Sequence, residues 1–342
     1  MALLRTTRRW FTARAVRAAR AAAPWLPERL IGLAQWWLGF AGPAAPVLSR
    51  LVASNMRAAG LYSDAAFREH FAQLAQHFAN ALRLFRLADR PAEVAALAAA
   101  EVDVDGSMAR LHEAARLGRG VVVAPAHVCN YLLTLARLNQ ETPVTVYLRW
   151  SEDERKLELK REWCRAAGLR VILEPLTAAD PAARAAACVD ALRNGHVLVM
   201  TPDIAQRRER GAAVRLLGRE AYLPTGPASI AMLAEAPLLP VFGRVADGRH
   251  VIAVRGPIAV EPLPRAAGGR PEAIRQAMQQ WADGFESFLR EAPATWFLWA
   301  DNRWTRVFRG DSRYAGSIPA GKPPTPAGSR STPSGRDPSR AS

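Results

Sequence analysis

His127, in GRGVVVAPAHVCNYLLTLARL, stands where a buried strand gives way to a helix. Val121, Val122 and Val123 read as a core strand between the breakers Gly118/Gly120 and Pro125, and the apolar run Val128 to Leu138 reads as the helix laid on that sheet. A histidine at the carboxyl end of a strand, beside free helix N–H groups, occupies the usual position for chemistry in an open α/β sheet, and the helix end disfavours its protonated form. A neutral imidazole there suits a general base. Such a base needs a partner that fixes its tautomer, and the turn that should supply one offers Tyr131 and Leu132 instead of a carboxylate.

Other residues have the type and position for chemistry. Asn130 lies one turn from His127 and either donates to a substrate oxygen or satisfies local backbone. Arg149 follows the strand PVTVYL; it either binds a phosphate or carboxylate in bidentate fashion or pairs with Glu152 or Asp153. In MTPDIAQRRERG, Asp203 stands at a strand end, placed to anchor a loop through backbone hydrogen bonds. Arg207, Arg208 and Arg210 follow as a cationic lip for an anionic substrate, or as a solvated charge run. Pro224-Thr225-Gly226-Pro227 starts a helix with Thr225 as N-cap, and the free N–H groups there can receive a phosphate or an oxyanion. In TWFLWADNRW, Trp296, Trp299 and Trp304 flank Arg303: either an apolar wall beside a cation, fit for an acyl chain and its polar head, or residues that close the core. His70 and His77 read as partly buried helix histidines. Cys129, Cys164 and Cys188 are odd in number and unclustered, which supports neither a disulfide framework nor a zinc site.

Three regions of the chain carry these residues. Up to about residue 115 the pattern is helical, including AFREHFAQLAQHFANALRLFRL, with Phe67, Phe71, Leu74, Phe78 and Leu82 as its apolar stripe. Strand signals at 120–124, 143–148, 169–173, 196–200, 237–242 and 250–254 alternate with helical stretches at 153–167, 180–194 and 226–235. That alternation predicts an α/β fold, a mainly parallel or mixed central sheet flanked by helices, with a helical segment before it. A further helix is expected at 271–291, and from about Gly310 the chain is poor in hydrophobic residues and rich in Gly, Pro and Ser, as a disordered tail is. The organisation expected is a basic and aromatic membrane-associating segment over 1–45, an α/β domain with its helical lead-in over 46–309, and the tail over 310–342.

The net charge of +15 rests almost wholly on arginine, since only three of the 46 basic residues are lysine. A surface this basic attracts anionic partners: headgroups, phosphorylated lipids, acidic carrier proteins or nucleic acid. No nucleic-acid recognition motif accompanies the charge. Residues 1–27 carry six arginines and no acid, followed by IGLAQWWLGF, a combination suited to a membrane interface. The best apolar window, Ile31 to Leu48, is interrupted by Gln35, Gly42, Pro43 and Pro46 and is too short to span a bilayer, so a peripheral or shallow anchor on the cytoplasmic face of the inner membrane is expected.

Together these pieces resemble the bacterial lipid A biosynthesis acyltransferase family, a branch of the lysophospholipid acyltransferase-like superfamily, from about residue 20 to 308. The family block H-F-G-N-W-E is matched by His127-Val128-Cys129-Asn130-Tyr131-Leu132, and P-D-Q by Pro202-Asp203-Ile204. The stretch resembling F-F-G-x-x-A-x-x-P-T-G-P-A is matched by Leu216-Leu217-Gly218 through Pro224-Thr225-Gly226-Pro227-Ala228, running on to Ala236-Pro237 and Pro240-Val241-Phe242. W-x-H-x-R-W is matched by Trp299-Ala300-Asp301-Asn302-Arg303-Trp304. The resemblance implies O-acyl transfer from acyl carrier protein or acyl-CoA to a hydroxyl of an anionic lipid or glycolipid acceptor at the membrane surface, with no bound cofactor, metal or nucleic acid. It makes His127 the base and Asn130, Arg149, Arg207, Arg208, Thr225, Gly226 and Arg303 substrate-binding residues. Leu132 falls where the acid of H-x4-D/E belongs, so base orientation passes to a backbone carbonyl or a distant acid, with Asp203 as the first candidate. The alternative is a catalytically inactive member of this kind that binds lipid or acyl carrier.

Overall fold

The computed structural model describes Ala18 and residues 21–128, 130–148, 154–173, 181–246 and 248–316. Arg149, Cys129, the arginines from Arg5 to Arg20 and the chain from 317 onward lie outside the described residues.

Four helices come first: α1 (Glu28–Ala41), α2 (Pro46–Ala58), α3 (Asp64–Arg86) and α4 (Pro91–Glu101). α3 starts at Ser63, whose Oγ accepts from the Ala66 N–H at 3.0 Å and so satisfies one of the orphan donors of the first turn. Its stripe is turned from the expected one: Phe71, Leu74 and Leu84 are buried, Leu82 only half so, and Phe78 is exposed. His70 and His77 are both buried.

The α/β part follows as β1 (Val102–Val104), α5 (Met108–Arg116), β2 (Val121–Pro125), α6 (Tyr131–Glu141), β3 (Val144–Leu148), α7 (Glu154–Ala166), β4 (Arg170–Leu173), α8 (Pro181–Arg193) and β5 (Val197–Val199). A hairpin of β6 (Ala212–Leu216) and β7 (Arg219–Leu223) leads to α9 (Gly226–Ala234), β8 (Leu238–Ala246), β9 (Arg249–Val254), α10 (Gly269–Glu291) and α11 (Asn302–Phe308). The main sheet has the order β1-β9-β8-β2-β5-β3-β4. β8, β2, β5, β3 and β4 run parallel; β9 is antiparallel to β8 and parallel to β1, so the sheet is mixed but mainly parallel.

β2 is buried along its whole length because both faces of the sheet are covered. Its pleat divides it between two cores: Val122 and Ala124 join Phe242, Trp281, Phe285 and Trp296 on one face, while Val121 and Val123 join Leu132, Leu135 and Leu138 on the other. Burial of each such valine stabilises the fold by roughly 1.5–3 kcal/mol. Gly120 lets β2 begin hard against α8: its φ is +64, and a Cβ there would lie 2.5 Å from the Leu192 carbonyl oxygen.

Two features depart from expectation. The β6–β7 hairpin turns on Leu217 and Gly218, both at positive φ, and leucine gives no turn signal of the Asn-Gly type. A hydrogen bond from the Leu217 N–H to Glu286 Oε2 at 2.6 Å holds that conformation. The folded body also runs past the tail boundary expected at residue 310. Tyr314 and Ala315 are buried, Ala315 bridges Ala221, and the Arg313 carbonyl accepts from the Arg208 N–H.

Candidate active site

His127 lies just beyond β2 and is fixed through its backbone before its ring is considered. Its N–H donates to Asp203 Oδ2 at 2.7 Å, and its carbonyl accepts from the Phe297 N–H at 2.8 Å. The ring then meets the same carboxylate: Nδ1 lies 2.6 Å from Asp203 Oδ1. Asp203 sits past the end of β5, next to β2 in the sheet, which brings together two residues far apart in the chain.

Asp203 is fully buried, 0% exposed, and its polar atoms are held from several sides. Oδ2 also accepts from Trp296 Nε1 at 3.0 Å, and its carbonyl accepts from Trp304 Nε1 at 2.8 Å. Each of its oxygens has a donor, so hydrogen bonds offset the desolvation of the buried group. Because Nδ1–H is given to Asp203, the ring nitrogen left for chemistry is Nε2. The His127 side chain is 19% exposed and forms part of a cavity wall.

The cavity encloses about 650 Å³ over the carboxyl ends of β2, β5 and β3. Leu132 and Leu135 of α6, Val146 and Leu148 of β3, and Trp163 and Cys164 of α7 give it an apolar side. Lys160 of α7, Arg184 of α8 and Arg210 give it cations, and no carboxylate of the described residues lines it. Thr225 and Gly226 bring the N-terminus of α9 to the wall. Gly226 is tight, since a Cβ there would lie 2.8 Å from the tip of Met200. Burial pushes the Cys164 thiol up to about 12, which favours the protonated form. Burial likewise raises the Tyr131 phenol well above its ordinary range; its ring meets His127 edge-on at 5.5 Å and stacks on His77 at 5.7 Å.

Several residues singled out in the sequence stand elsewhere. Asn130 is 1% exposed and off the cavity wall. It takes the left-handed conformation, φ 64, at the start of α6, with its N–H donating to His77 Nδ1 at 3.2 Å and its Oδ1 accepting from Asn80 Nδ2 at 2.9 Å. Burial lowers His77 to about 4, which keeps it neutral and able to accept. Thr225 makes no side-chain cap, because its backbone is already helical at φ −86 and ψ −8. Arg207 and Arg208 are exposed and outside the lining; of that run only Arg210 reaches it. Arg303 is turned onto Asp301, with Nε 3.0 Å from Oδ1 and Nη2 2.6 Å from Oδ2, and does not line the cavity. Arg149 lies outside the described residues.

Sequence reasoning misses the indole donors: Trp296 and Trp304 are buried core residues that also hold Asp203. Lys160, Trp163 and Cys164 were missed as lining residues, although their spacing of three and four marks one helix face.

A search of curated proteins finds no match to this chain. The family model described as bacterial lipid A biosynthesis acyltransferase matches residues 64–306, from the start of α3 to α11, a stretch that contains His127, Asp203 and the whole cavity lining. The chain therefore belongs to the bacterial lipid A biosynthesis acyltransferase family.

Proposed function

We propose that this protein transfers a fatty acyl group from a thioester, carried by acyl carrier protein or CoA, to a hydroxyl of a lipid or glycolipid acceptor. The observation that carries this reading is the 2.6 Å contact of His127 with buried Asp203 at the wall of a largely apolar cavity. His127 Nε2 takes the proton of the acceptor hydroxyl as its oxygen bonds to the thioester carbonyl carbon, and the carbonyl π pair moves onto oxygen. Collapse of this tetrahedral oxyanion breaks the C–S bond, and the departing thiolate takes the proton back from the imidazolium. Asp203 stays ionised throughout, holding the tautomer and balancing the imidazolium charge. The N-terminus of α9, with Thr225 and Gly226 at the cavity wall, suits the oxyanion.

The surroundings fit the substrates. Lys160, Arg184 and Arg210 at the cavity wall suit a phosphate-bearing group on donor or acceptor. α1 is held on α3 by ion pairs of Glu28 with Arg83 and Arg86, and buries Ile31. On its outer side Leu33, Trp36, Trp37 and Phe40 are exposed, Trp36 by 64% and Phe40 by 75%. An apolar aromatic face next to an arginine-rich segment suits a bilayer interface, and no helix of the described residues is long and apolar enough to cross a membrane. Peripheral attachment to the cytoplasmic face of the inner membrane follows from this reading. The contact of His127 with Asp203 supports catalysis over the alternative of an inactive member that binds lipid or acyl carrier.

The test incubates purified protein and its H127A variant with labelled acyl carrier protein or acyl-CoA and bacterial membrane lipid. Acylated lipid from the wild type, reduced at least ~10³-fold in H127A, is the expected result. Absence of product from the wild type, while a known transferase works on the same substrates, overturns the reading.

A further inference from the structure

We infer that Leu132 is a specificity residue, opening an apolar channel for the donor's acyl chain directly beside His127. The inference rests on the acyl-transfer reading above. By the family resemblance, position 132 is that of an acid which orients the base. In this chain Asp203 already bonds both the ring Nδ1 and the backbone N–H of His127, so position 132 is released from that task.

Leucine uses the freedom. Leu132 is 4% exposed, belongs to the core under α6, and still forms part of the cavity wall. Leu135, one turn on, also lines the cavity, so the apolar wall continues along α6 by about 4.5 Å, away from the helix N-terminus where His127 sits. Val146 of β3 and Trp163 and Cys164 of α7 line the same cavity. Trp163 is backed by Phe85 of α3, the two rings stacked at 5.6 Å. Leucine at 132 keeps this stretch of the wall apolar and free of a desolvated charge. With leucine there, the thioester carbonyl can stand at His127 while its chain runs inward past Leu132 toward Leu135, and the phosphate-bearing part of the donor stays by the cations.

Burial of each further methylene in such a channel is worth about fourfold in kcat/KM. The experiment measures kcat/KM for acyl-CoA donors of graded chain length, and binding of the matching acyl thioethers, which cannot transfer. Leu132→Phe and Leu135→Phe add volume and should lower the ratio of long-chain to short-chain kcat/KM at least ~10-fold, the cut at 132 falling nearer the carboxyl end. Leu132→Ala removes volume and should raise the ratio, an opposite shift that a folding defect does not produce. The thioethers should follow the same order. An unchanged chain-length profile in these variants, with transfer intact, overturns the channel and leaves the transferase reading standing. The expected shift in thioether binding, with no transfer by the wild type, supports the channel and overturns the reaction.

Discussion

On the sheet side of His127, both oxygens of Asp203 and its carbonyl are hydrogen-bonded, and the donors are two buried indoles, an imidazole and a backbone amide. On the α6 side, Asn130 takes a left-handed backbone, its Nδ2 is buried with no partner in the described residues, and the next residues inward are Leu132 and Leu133. The two sides divide the labour. One is dry, charged and over-determined, as a group that must hold a tautomer needs to be. The other presents hydrocarbon to the cavity and keeps its polar groups, Asn130, Asn80 and His77, bonded among themselves behind the wall. In this chain the acid bonded to the base stands at a neighbouring strand end, at the aspartate matched to the P-D-Q block, and the helix contributes none.

The sheet side is tested most directly at Asp203. Asp203→Asn keeps the shape but offers Nδ1–H a neutral partner and sets an amide against two other donors; transfer should fall ~10³–10⁴-fold with the circular dichroism spectrum unchanged. Retained activity would mean that the sheet side is structural only. Leu132→Glu tests the reverse. Its carboxyl would be buried in an apolar wall while His127 is already satisfied, so the variant should lose about 2–3 kcal/mol in urea unfolding and gain no activity. Any rate increase would return the orienting role to α6. Trp296→Phe removes one donor to Asp203 Oδ2 while keeping an aromatic ring in the core, and is expected to lower kcat about tenfold with KM little changed.

The smallest effect per residue comes from pH. Burial lowers His70, His77 and His250 to about 4 in the fold, against about 6.5 in the unfolded chain. The unfolded state therefore binds more protons between these values. Stability is complete above pH 6.5 and lost as the pH falls toward 4, by about 1 kcal/mol for each histidine by pH 5.5. Urea midpoints at pH 7.5 and 5.5 measure it. In His77→Phe the drop should shrink; an equal drop would place the acid sensitivity elsewhere than behind the α6 wall.

Much of the scaffold was legible. Valine-rich runs bounded by Gly and Pro marked β2, β3, β5 and β8, because strands buried on both faces have no polar alternation to hide them. The β6–β7 hairpin was not, since its turn puts a leucine at positive φ, a choice that only the Glu286 contact makes sense of. α6 begins at Tyr131 rather than Val128, because the polar contacts of Asn130 hold the break that starts it.

From the sequence alone followed the α/β architecture, the rim position of His127, the four family blocks in order, and the lack of an acid in the helix beside it. These depend on local periodicity and on residue types close in the chain. The tertiary structure alone decided which acid His127 meets, that Trp296 and Trp304 hold it, that Arg303 is taken up by Asp301, and that Leu132 faces both core and cavity. The physical reason is sheet order: β5 inserts beside β2 and sets Asp203 against His127, a neighbour relation that no spacing in the sequence records.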